Sequence, residues 1–95
     1  MLKWFDAGAA EAQADRAVEE FLRLLPNGEL ADTAVGRKKQ VAKLEKAINN
    51  HRQHYATARY NVYQKAKFAN RVKWRLHDAD YPADFVDALV RLLII

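Results

Sequence analysis

The stretch RKKQVAKLEKAINNHRQHYATARYNVYQKAKFANRVKWRLHDA, residues 37–79, contains no Pro and no Gly, and the architecture turns on whether it forms one helix. Its apolar positions run Val41, Leu44, Ile48, then Tyr55, Ala58, Val62, then Ala69, Val72, Leu76. This three-four alternation marks one face of a helix, interrupted only by the polar His51 and Lys65. An unbroken helix of roughly 40 residues would be about 60 Å long at 1.5 Å per residue. Such a length predicts a coiled-coil-like or hairpin scaffold. The alternative is a kink near Asn49-Asn50-His51, because Asn side chains compete for backbone hydrogen bonds.

The N-terminal flank predicts a helix over residues 6–25. Asp6 is its candidate N-cap, and acids stand early, where the helix dipole favours them. Ala10, Ala14, Ala17, Val18, Phe21, Leu22 and Leu25 form its apolar stripe. The first half of that stripe is almost all Ala, which lets a partner helix approach closely. Pro26-Asn27-Gly28 ends the helix, and residues 26–36 form a loop in which Asp32 or Thr33 caps the long helix. On the C-terminal side, Asp78-Ala79-Asp80-Tyr81-Pro82 is a second break. Pro82 suits the first turn of a helix over residues 82–94, with Phe85, Val86, Leu89, Val90 and Leu93 on its stripe. The expectation is an all-α, single-domain chain (residues 1–95) of three helices, with one long central helix and the C-terminal helix folding back.

Composition removes several functions. There is no Cys and no Ser among the 95 residues, so disulfides, thiolate zinc sites and Ser or Cys nucleophiles are excluded. The absence of Cys fits the reducing cytoplasm, where we expect the protein. Met1-Leu2-Lys3-Trp4-Phe5-Asp6 has no apolar leader-like core, and no apolar run approaches the roughly 20 residues that span a bilayer. Gly8, Gly28 and Gly36 form no phosphate loop. His51 and His54 are three apart on a helix, but no carboxylate flanks them, and a metal needs three or four ligands. His77-Asp78 supplies the minimum of a general base with no nucleophile to serve; at a helix C-terminus, His77 complements the dipole. We expect no enzyme, no cofactor and no metal.

Charge is sharply zoned. Residues 1–36 hold three cations against seven acids, residues 37–77 twelve cations against Glu45 alone, and residues 78–95 one cation against four acids. Either two acidic flanks complement a basic middle, or the basic stripe of residues 37–77 serves nucleic acid. On the same stretch Tyr60, Tyr63, Lys67, Arg71 and Trp74 follow helical spacing and form a candidate interaction face. Such residues stack bases and bind phosphates, or else pack the third helix.

A long central helix leaves apolar surface that two shorter helices cannot cover. The expectation is therefore a homodimer associating through Val41, Leu44, Ile48, His51 and Tyr55, with Leu92, Ile94 and Ile95 of the apolar C-terminus. His51, polar within the seam, would fix register. The expected role is a structural or adaptor module acting through helix-mediated contacts with itself or with a protein partner, with nucleic-acid binding as the alternative.

Overall fold

The computed structural model describes residues 5–94. They form four helices, α1 (Gly8–Leu24), α2 (Ala34–Ala58), α3 (Val62–Asp78) and α4 (Ala83–Ile94), with a 3-10 turn at Pro26–Gly28. No described residue lies in a strand. The all-α expectation holds; the three-helix arrangement around one long helix does not. The stretch 37–79 is divided at residues 59–61, and α2 runs without interruption through Asn49-Asn50-His51, the place of the alternative kink.

The cause of the break is local. Arg59 adopts the left-handed conformation, with φ 53°, and terminates α2. Asn61 then starts α3 with a capping box: its side chain accepts from the Gln64 amide at 2.9 Å, and the Gln64 side chain accepts from the Asn61 amide at 3.0 Å. Two otherwise unpaired helix-end donors are satisfied reciprocally, so a new helix begins although no Pro or Gly is present.

The break changes the phase of everything after it. In one continuous helix Phe68 would stand roughly 140° round the axis from Tyr55, while Val62 would share its face. Instead, Phe68 is fully buried with its ring 4.9 Å from that of Tyr55, and Val62 is 77% exposed. The core stripe of α3 is thus Phe68, Val72 and Leu76.

Contacts fix the topology. Gln40 of α2 bonds the Leu24 carbonyl, and His51, further along, meets Glu20, so α1 and α2 run antiparallel. Gln64 reaches the Asp6 carbonyl at one end of α3, and Arg75 reaches Glu19 at the other, so α1 and α3 are parallel. Leu92 lies beside Ile48 and Asn49, and Ile94 beside Tyr55 and Arg59, which makes α4 parallel to α2. Both α1 and α4 pack on α2 and on α3, while α1 and α4 face each other diagonally, as do α2 and α3. The result is a four-cornered bundle measuring 53 × 25 × 18 Å.

Phe21, Phe68, Leu76, Leu93, Val18, Val72 and Val86 fill its centre, each with less than 2% exposure. Burying a side chain of this size contributes roughly 2 kcal/mol. Ala10, Ala14 and Ala17 are buried as their spacing predicts. Leu25 ends α1, and its carbonyl accepts from the buried Tyr81 hydroxyl. Tyr81 also presses on Gly28, which has φ 70°; a Cβ there would lie 3.2 Å from the ring. Burial pushes the hydroxyl pKa of Tyr55, Tyr60 and Tyr81 above the ordinary tyrosine value.

With 25 residues, α2 is about 37 Å long, whereas α1 and α3, with 17 each, are about 25 Å. Its first buried residue is Ala47, so residues 34–46 lie along the surface. Thr33 caps this segment, accepting from the Gly36 amide at 3.0 Å, and Gln40 ties it to the loop before it.

Candidate functional site

The first half of α2 carries the densest uncompensated charge. Arg37, Lys38, Lys39, Lys43 and Lys46 are all exposed, with Glu45 the one acid between them. Arg37 is committed to the loop, donating to the Ala31 and Asp32 carbonyls at 3.3 and 3.1 Å. Lys38, Lys39, Lys43 and Lys46 make no ion pair among the described residues. Lys39, Lys43 and Lys46 follow one another at steps of four and three, which places their side chains on one outward face. That face lies opposite Ile48 and Tyr55, two of the residues with which α2 enters the core.

Two arginines of α3 are used differently. Arg71 grips Asp15 of α1 with two bonds, 2.8 and 3.1 Å, and Arg75 joins the same carboxylate at 3.3 Å. The Arg71 hydrogen bond holds the Asp15 carboxyl below the usual aspartate value, against the opposing effect of partial burial. Acidic flank and basic middle therefore complement each other along the α1–α3 edge. Along α2, among the described residues, only His51 crosses to an acid, with Nε2 2.6 Å from Glu20.

The expected face of Tyr60, Tyr63, Lys67, Arg71 and Trp74 divides at the helix break. Tyr60 precedes α3 and turns inward, donating to Oε1 of the buried Gln13 and packing near Tyr55 and Phe68. The other four stay together. The Lys67 ammonium lies 5.4 Å from the centre of the Tyr63 ring, Tyr63 meets Phe5 edge-on, and Trp74 lies 6.2 Å from the His77 ring. Trp74 is 60% exposed. A groove of about 300 Å³ runs beside it, lined also by Glu11, Lys67, Asn70 and Arg71. Asn70 is an addition to the expected face, and its spacing from Lys67 and Trp74 is the signal that places it there.

The expected self-association residues also separate. Ile48 and Tyr55 are buried within the chain, His51 is taken up by Glu20 and the Phe21 ring, and Leu44 is partly buried. Val41, Leu92 and Ile94 remain at the surface. Ile95 lies outside the described residues, as do Met1, Leu2, Lys3 and Trp4. His54 is exposed. Among the described residues no group of three His, Asp or Glu is placed to hold a metal ion, and no helix is long and apolar enough to cross a membrane. Comparison with protein-family models, with curated proteins and with solved structures finds no match for this chain.

Proposed function

We propose that this chain is a non-enzymatic binding module that engages the phosphate backbone of nucleic acid through the outward face of α2. The observation that carries the reading is the contrast between the two arginines of α3 that face α1 and the lysine cluster of α2. Arg71 and Arg75 of α3 are neutralised by α1, whereas Lys38, Lys39, Lys43 and Lys46 have no acidic partner among the described residues. The first turn of α2 carries no acid either, although acids are what its positive end favours. Like charges spaced by four on a helix cost stability. A cluster that works against its own helix, on a segment with no buried residue, is explained by a polyanion outside the chain.

The test is salt-dependent binding of a labelled DNA duplex. Neutralising Z phosphates gives a log–log salt slope of about −0.9Z, and each phosphate-contacting Lys removed lowers its magnitude by about 1. Replacing Lys39, Lys43 and Lys46 together by Gln should reduce the slope by about 3. Absence of retention at low salt, or a slope that the triple variant leaves unchanged, would overturn the reading.

Self-association is the second reading. Its support is a shallow apolar strip on the α2–α4 side, where Leu30 and Val41 border one groove, Ile48 and Leu92 the next, and Glu45 both. A second copy seated there gives a dimer that Leu92→Glu should dissociate. A monomeric mass in light scattering at micromolar concentration would dismiss it.

A further inference from the structure

We infer that the outward face of α3 is a second binding surface, which takes an unpaired nucleobase by stacking it on Trp74. The inference rests on the nucleic-acid reading of α2 and extends it to a different kind of strand. An indole left 60% exposed gains little for the fold. Its surroundings suit a base. Trp74 supplies an aromatic plane, Asn70 an amide that both donates and accepts, and Lys67, held over Tyr63, a cation about two helical turns from the indole. Arg71, which also lines the groove, is held to Asp15 by two hydrogen bonds. The groove of about 300 Å³ is at the small end of ligand sites, a size for one base rather than a duplex.

Position separates this surface from the first. Because α2 and α3 occupy opposite corners of the bundle, the Trp74 face points away from the α2 lysines. A duplex lying on α2 cannot reach it. The two surfaces therefore act on different segments, paired and unpaired, and each can be removed without the other.

The experiment follows indole emission in a Trp4→Phe background, where Trp74 is the single tryptophan left of the two in the chain. Titration with a short oligothymidine strand should quench that emission, and a duplex of equal length should not. Trp74→Ala should weaken single-strand binding about tenfold while leaving duplex binding and its salt slope unchanged. Trp74→Phe, which keeps a stacking ring, should retain most of the affinity. Absence of quenching, or single-strand affinity unaltered by Trp74→Ala, overturns the inference. If the duplex still binds with its lysine-dependent slope in either case, the α2 reading survives on its own. If neither strand binds, both fall.

Discussion

Gln40 shows how much one polar side chain can organise. Its amide donates to the Leu24 and Glu29 carbonyls at 2.9 and 3.1 Å, while its oxygen accepts from the Ala31 amide at 2.7 Å. Those three bonds hold the end of α1 and the loop after it against α2. Gln40→Ala should cost about 1–2 kcal/mol, because the partly buried groups regain water only in part. In a chain of this size that lowers the melting temperature by roughly 5–12 °C, which calorimetry would register. Gln40→Glu should fare no better, since a carboxylate cannot donate to two carbonyls. Asp15 sets the acid limit in a similar way. Its carboxyl is held below the ordinary 3.8, principally by the Arg71 hydrogen bond. Its contribution to stability is therefore complete above that value and is lost as pH falls through the lower folded-state pKa. Urea midpoints measured down the acid range should drop less steeply in Asp15→Asn than in the parent. At the other extreme, the buried hydroxyls of Tyr55, Tyr60 and Tyr81 resist ionisation, so the fold loses stability as pH climbs past the ordinary tyrosine value of 10.0, where the unfolded chain's tyrosines ionise first.

At the scale of helices, the break at residues 59–61 makes a prediction whose sign is diagnostic. Arg59 is exposed and left-handed, a conformation that costs an L-residue roughly 1 kcal/mol and glycine almost nothing. Arg59→Gly should therefore raise stability by about 0.5–1 kcal/mol. In an unbroken helix the same change would lower it by a similar amount. Chemical denaturation of the two proteins decides between a divided and a continuous stretch. This break also marks the limit of what is legible in the sequence. Pro26 and Pro82 announce their boundaries by chemistry, and the stripes of α1 and α4 lie where their spacing puts them. Asn61-Val62-Tyr63-Gln64 carries the signal for a new helix start, but a capping box matters only if the preceding residue leaves the helix. Nothing about Arg59 declares that it will. Once the phase is carried past it, Val62 stands falsely in the core and Phe68 falsely outside. Tyr60 is lost from the expected face for the same reason, while Tyr63, Lys67, Arg71 and Trp74, all beyond the break, keep their mutual spacing and their common face.

Across the whole molecule, charge is distributed so that two corners of the bundle satisfy each other and a third is left in excess. The acids of α1 meet Arg71, Arg75 and His51, and among the described residues nothing comparable faces the lysines of α2. Stability and binding should accordingly pull in opposite directions at that corner. Lys39 and Lys43 are spaced by four and Lys43 and Lys46 by three, and each such like-charge pair costs roughly 0.2–0.5 kcal/mol. Replacing the three by Gln keeps the helix-forming stems and removes both repulsions. The variant should melt a few degrees higher than the parent at low ionic strength, by about 0.5 kcal/mol. In molar salt the Debye length falls to about 3 Å, so the two melting temperatures should converge. Had the lysines been placed to hold the bundle together, the triple variant would melt lower at every salt concentration, and its loss of duplex binding would reflect a weakened fold. A protein that gains stability as it loses its ligand is one whose charges were placed for the ligand.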